Sequence, residues 1–244
     1  MRGWDIPDVI LFSGDAYVDH PSFGAAAIGR TLEASGLKVA LVPQPNWRDD
    51  LRDFRKLGKP RLFFAVSAGA MDSMVNKYTA NLRLRSDDAY TPDARIDMRP
   101  DYPTIVYSQI LKKLYPEVPV IVGGIEASMR RLAHYDYWQN QLLPSILIPS
   151  QADMLIYGCG EKPIVELSRA LQNGAKISEL ASIPQTVFLR KEIKPKPGDS
   201  VLFSYEECLN DKKKQAQNFK SIEEESNTLN AHRLIQATGD GLII

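Results

Sequence analysis

Cysteine is almost missing from this chain: there are two in 244 residues, Cys159 and Cys208, far apart in sequence. Such a pair makes neither a disulfide framework nor a metal knuckle. The expectation is a reduced, cytoplasmic protein. A surplus of charge of one sign is also missing. Lys plus Arg and Asp plus Glu stand at 30 each, so no overall field draws the chain to nucleic acid or to an anionic membrane. No apolar run nears the length of a membrane span. Residues 1–5, Met-Arg-Gly-Trp-Asp, hold no apolar signal core. What is present, 44% apolar and 25% charged residues, is ordinary for a globular protein. The length suffices for one large domain or two smaller ones.

Residues 9–12, Val-Ile-Leu-Phe, form a short unbroken apolar run. Without polar alternation it reads as a strand buried on both faces. After it comes Ser13-Gly14-Asp15-Ala16-Tyr17-Val18-Asp19-His20-Pro21-Ser22-Phe23-Gly24, then a helical stretch. Pro21 suits a first helical position, and Asp19 or His20 suits a cap. The loop thus leaves the carboxyl end of a parallel strand, where open α/β sheets take their ligands. Asp15, Asp19 and His20 are candidates for ligand or metal binding, or for acid–base work. Helix capping is the competing role, and it falls first on Asp19.

Further strands are expected at 38–42, 62–66, 118–122 and 154–157, with helices over 47–57, 71–78, 102–115, 125–133 and 161–171. Ile105, Val106, Gln109, Ile110 and Leu114 mark the buried side of the helix over 102–115. Strand alternates with helix five times, which predicts a parallel sheet with right-handed crossovers. The strand order is expected to be the flavodoxin-like 2-1-3-4-5, with its crevice between strands one and three. The loops 14–20 and 67–72 then face each other across that crevice. Small residues at Ser67 and Gly69 let a ligand or a neighbouring backbone come close. Gly123-Gly124 suits either a tight turn into a helix or a helix N-terminus that holds a phosphate or carboxylate. Residues 82–99 alternate Arg and Asp without periodicity, and read as a lid or an interface arm.

After about residue 176 the character changes. A strand is expected at 186–189, a Lys/Pro-rich connection over 191–199, and a charged helix over 205–231. Two short strands, 234–236 and 242–244, flank the turn at 238–241. Residues 1–175 therefore read as an α/β domain and 176–244 as an extension of helices and short strands. The chain stops on an apolar strand, so more polypeptide is expected. Arg130, Arg131, His134, Tyr135, Tyr137 and Trp138 could make a nucleotide or nucleic-acid surface by charge and stacking. The preferred reading is a packing corner, with no nucleic-acid partner. Cys159 reads as a small residue in a tight turn, and the runs Lys212–Lys214 and Glu223–Glu225 as solvated helix faces.

Several long strings, in order, resemble the YgiQ-like family of uncharacterised radical S-adenosylmethionine proteins. They are the loop 13–24, Gly123-Gly124-Ile125-Glu126-Ala127-Ser128-Met129-Arg130-Arg131, His134-Tyr135-Asp136-Tyr137-Trp138, residues 153–161 and residues 100–107. The resemblance implies a cobalamin-binding-like, flavodoxin-like domain followed by a radical SAM barrel. It also implies a 4Fe-4S cluster on a CxxxCxxC loop, with S-adenosylmethionine as cofactor. No such triad is present here. Cobalamin-ligating domains carry DxHxxG after strand one, whereas this chain has Asp19 adjacent to His20. On this resemblance Gly14, Asp15, Tyr17, Asp19, His20, Ser67, Gly69, Gly123 and Gly124 form the expected cofactor-binding set, cobalamin being one candidate. The expected partner is the barrel of a full-length protein, with a homo-oligomer as a further option. Two alternatives stand beside cofactor holding: a docking or dimerisation module without a ligand, and a metal-dependent enzyme using Asp15, Asp19 and His20.

Overall fold

The computed structural model describes residues 5–194 and 196–244. The reading of residues 1–4, and Pro195 of the Lys/Pro-rich connection, lie outside the described residues. The chain opens with β1 (Val9–Ser13), α1 (Gly24–Ala34), β2 (Val39–Pro43), α2 (Arg52–Arg55), β3 (Phe63–Ser67) and α3 (Ser73–Lys77). It continues with α4 (Pro103–Leu114), β4 (Val120–Gly123), α5 (Gly124–Met129), β5 (His134–Asp136), β6 (Gln141–Leu143), α6 (Leu147–Ser150), β7 (Met154–Ile156) and α7 (Glu161–Gln172). The last part holds β8 (Thr186–Val187), β9 (Leu189–Arg190), β10 (Ser200–Leu202), α8 (Tyr205–Asn210), α9 (Lys212–Ser226), β11 (Leu234–Thr238) and β12 (Gly241–Ile243).

The main sheet runs β2-β1-β3-β4-β7-β8. Its first five strands are parallel and in the flavodoxin-like order, and β8 adds an antiparallel edge against β7. The apolar runs are unbroken because both faces are covered. Ile10, Phe12, Phe64, Val66, Val120 and Val122 point into one core layer, with Tyr107 and Leu111 of α4. Val9, Leu11, Phe63, Ala65 and Ile121 point into the other, with Leu32 of α1 and Leu167 of α7. Each buried Val, Leu, Ile or Phe among them contributes about 1.5–3 kcal/mol on burial.

Several local expectations change. Helix α1 begins at Gly24 rather than Pro21, and Phe23 precedes it without a side-chain cap. Over 47–57 only Arg52–Arg55 is helical. There the side chains of Asn46, Asp49 and Asp50 accept from the backbone N–H groups of Arg48, Leu51 and Arg52, a local alternative to the helix. Helix α4 buries Thr104, Tyr107, Ser108 and Leu111, while Ile105, Val106, Ile110 and Leu114 are half-buried beside the same core. Helix α5 ends at Met129, and the chain turns into the β5–β6 hairpin. The charged helix over 205–231 is split at Asp211, whose carboxylate accepts from Lys213 N–H and caps α9.

A second sheet, β10-β11-β12-β9, holds the residues after 188. It shares the main core: Leu202 and Ile243 belong to the layer containing Phe12. Buried Gln236 ties the two parts together. Its Oε1 accepts from Ala133 N–H at 2.8 Å, and its Nε2 donates to the Phe203 carbonyl at 3.1 Å.

Candidate functional site

Strand register builds the site. Ser13 lies opposite Ser67, and Ser67 opposite Gly123, so β1, β3 and β4 end in one row. The turns at 14–20, 67–72 and 123–124 therefore share one rim. They meet by direct packing. Gly14 N–H donates to the Ser67 carbonyl at 3.0 Å, and a Cβ on Gly14 would fall on the Ala68 carbonyl. Gly69, at φ +122, holds its α-carbon where a Cβ would meet the Asp15 carboxylate. Gly124, at φ +82, sits so close to Ser67 that a Cβ would lie 2.6 Å from the hydroxyl. Only glycine fits at these approaches.

Asp15 is buried in the crevice between β1 and β3. It accepts from Ala70 N–H at 2.5 Å and from Arg99 Nη1 at 2.6 Å. Arg99, 1% exposed, ends the irregular segment that follows α3. Its Nη2 donates to both oxygens of Asp88 at 2.9 Å, its Nε to Asp88 at 3.2 Å, and its Nη1 to the Ala68 carbonyl at 3.2 Å. Asp88 also accepts from Tyr90 N–H and the Thr91 hydroxyl. Gln44, beyond β2, donates to Thr91 Oγ1 and to the Gly14 carbonyl. Residues 78–101 thus form a strap that enters the crevice with a guanidinium between two carboxylates. Burial pushes the Asp15 carboxyl up, against the opposing pull of Arg99. Burial works to raise Asp88 as well. Hydrogen bonds from Asn76, Tyr90 N–H and Arg99 overcome it and hold Asp88 below its ordinary range.

A second buried polar cluster adjoins the first. Glu126, completely buried, accepts from Thr104 N–H at 3.1 Å, from Ser73 N–H at 3.2 Å and from the Ser73 hydroxyl. Burial pushes its carboxyl up. Asp72 caps α3 through Met74 and Val75 N–H and pairs with Arg130. The Arg130 guanidinium lies 5.2 Å from the Tyr102 ring centre, and the Tyr102 hydroxyl donates to Asp136 at 2.6 Å. His134 donates from Nδ1 to the Leu132 carbonyl at 3.1 Å, and burial drives its pKa down to about 4.

The other candidates sit elsewhere. The Tyr17 hydroxyl donates to Asp19 at 2.9 Å, and Asp19 pairs with Arg30 of α1. His20 is exposed, with Nδ1 accepting from Ser22 N–H at 3.1 Å. Tyr17 and Arg30 line an open groove of about 420 Å³ along α1 and β2. So Gly14, Asp15, Ser67, Gly69, Gly123 and Gly124 are brought together, while Tyr17, Asp19 and His20 face outward. Among the described residues no group of three His, Cys, Asp or Glu side chains could hold a metal ion. Cys159 is exposed in its turn and Cys208 buried under α9, so the three thiolates of an iron–sulfur cluster are not assembled here. Arg99, Asp88, Asp72 and Glu126 were not among the expected site residues. The signal for Arg99 lay in the mixed charge over 82–99, where Asp97 and Arg99 close a run of arginines and aspartates.

The family model described as Radical SAM N-terminal matches residues 1–244, the entire chain. The chain belongs to the Radical SAM N-terminal family. A UPF0313 protein of Porphyromonas gingivalis is 68% identical over 100% of this chain and 39% of its own length. One from Bacteroides thetaiotaomicron is 65% identical, over 100% of this chain and 42% of that relative. The UPF0313 protein YgiQ of Escherichia coli is 55% identical over 79% of this chain and 26% of its own. The chain spans about two fifths of the length of the first two relatives. Among solved structures, the radical S-adenosylmethionine methyltransferase TsrM from Kitasatospora setae aligns over 75% of this chain and 28% of its own, at a TM-score of 0.49 and 18% identity. That likeness is too slight to carry an argument. Among the described residues no helix of this Radical SAM N-terminal chain is long and apolar enough to cross a membrane.

Proposed function

We propose that this chain is the scaffold part of a radical SAM enzyme, with a switch-point crevice closed by its own Arg99 rather than by a cofactor. One observation carries the reading: Arg99 occupies the place between β1 and β3 where an open α/β sheet would take a ligand, and bonds to Asp15 and Asp88 there. The tight approaches at Gly14, Gly69 and Gly124 support it, because they leave the loops packed on one another. Two cysteines cannot supply the three thiolates of an iron–sulfur cluster, and His20 is exposed, outside the closed crevice. Cluster, S-adenosylmethionine and substrate belong, on this reading, to the remaining polypeptide. What these residues do is hold α3, α5 and the strap at fixed positions on one rim.

Amide hydrogen exchange on the longer polypeptide, with its cluster reconstituted, tests this. Adding hydroxocobalamin or S-adenosylmethionine is expected to leave the amides of residues 14–16, 67–70 and 98–100 unchanged. New protection confined to those amides would overturn the proposal.

A further inference from the structure

Exposed apolar side chains are unevenly spread. Sixteen large ones are exposed among the described residues, and ten of them lie in 17–18, 75–96 and 125–137. Those segments all follow the carboxyl ends of β1, β3 and β4. Single exposed apolar residues need no explanation, but a contiguous apolar patch marks an interaction site. The segments lie side by side, tied together by a set of bonds. Helix α3 is joined to the strap by Arg85, whose backbone N–H donates to the Lys77 carbonyl and whose Nε donates to the Val75 carbonyl. It is joined to α5 by Glu126 on Ser73 and Arg130 on Asp72. The Tyr137 hydroxyl donates to the Ala80 carbonyl at 2.7 Å and pins the β5–β6 hairpin to the strap. Val75, Leu82, Ile125, Met129 and Tyr135, each 43–58% exposed, stand on these joined parts. Ile125 and Met129 are four residues apart on α5 and share one face.

Helices of five and six residues have no stability of their own. Here both are fixed from below by buried charges, so their outer faces are preorganised rather than adaptable.

We infer that this apolar rim is the docking face for the part of the longer polypeptide that lies outside residues 1–244. The inference rests on the scaffold reading and names its contact surface. The occupant is chosen on length: this chain makes up 39% and 42% of two full-length relatives, so about three fifths of those proteins must be accommodated.

The test is a photo-crosslinking map on the intact longer protein, with p-benzoylphenylalanine placed at Ile125, at Leu82 or, as control, at Leu209, which is exposed on α8. Adducts from positions 125 and 82 to residues outside 1–244, absent from position 209, are expected. Their loss on Met129→Glu would tie them to this face. Adducts only to a second copy, or none from 125 and 82, would overturn the inference. The scaffold reading fails by a different readout, protection of crevice amides by a cofactor, so the two failures are distinguishable.

Discussion

Arg99 has no solvent to fall back on. Its guanidinium bonds to Asp15 and Asp88, with 2%, 4% and 7% of the three side chains exposed. Removing one member of such a buried group leaves uncompensated charge and costs about 3–5 kcal/mol. Arg99→Ala is expected to lower stability by that amount in urea unfolding. Arg99→Lys should recover only part of it, since an ammonium cannot bond both Asp88 oxygens and Asp15 in one plane. Glu126 gives a pH signature. Burial raises its folded carboxyl above the ordinary glutamate value of 4.5, so the folded state keeps a proton that the unfolded state has released. The Glu126 contribution is therefore fully present below pH 4.5 and is lost as pH rises toward the raised folded value. Comparing urea midpoints at pH 5 and pH 8, Glu126→Gln should lose less stability across the interval than the parent chain. An equal loss in both would remove Glu126 as the source.

At the scale of elements, two glycines make opposite predictions. Gly29 lies inside α1, with only Leu41 Cδ1 at 4.0 Å from a built Cβ. Gly29→Ala should stabilise by about 0.5–1 kcal/mol through helix propensity. Gly69 has φ +122 and Asp15 in the way, so Gly69→Ala should cost more than about 1–3 kcal/mol. Thermal melts of the two variants are expected to move in opposite directions. The elements differ in how far they could be read from sequence. The five parallel strands were legible because unbroken runs such as 9–12 and 118–122 have few other uses. Short elements were not. Helix propensity over 47–57 loses to Asn46, Asp49 and Asp50, whose side chains bond to the backbone beside them. On α4 the expected side, Ile105, Val106, Ile110 and Leu114, is only half-buried against the core and Gln109 is exposed, while Thr104, Tyr107, Ser108 and Leu111 are buried outright. The rim itself was legible from the turns; its occupant was not, because the partner of Asp15 comes from 84 positions away.

At the scale of the whole molecule, the two sheets share one core. Leu202 and Ile243 belong to the same core as Phe12, and Gln236 is 1% exposed. Gln236→Ala would leave Ala133 N–H without its partner, at about 1–3 kcal/mol, while the Phe203 carbonyl keeps its bond from Asn218 Nδ2. The expected result is one unfolding transition at lower denaturant, seen alike by tryptophan fluorescence and by far-UV circular dichroism. Two separated transitions would mean that residues 176–244 fold as an independent unit. The closed crevice carries a consequence for how this sequence can drift. A guanidinium held by carboxylates from two distant segments makes positions 15, 88 and 99 a single inherited unit. Any one of them changed alone is penalised, whereas exchanging all three for apolar residues of similar bulk is close to neutral. Homologues should therefore carry the trio whole or not at all, and a member with a lone survivor would mark a lineage in which that gap has found another tenant.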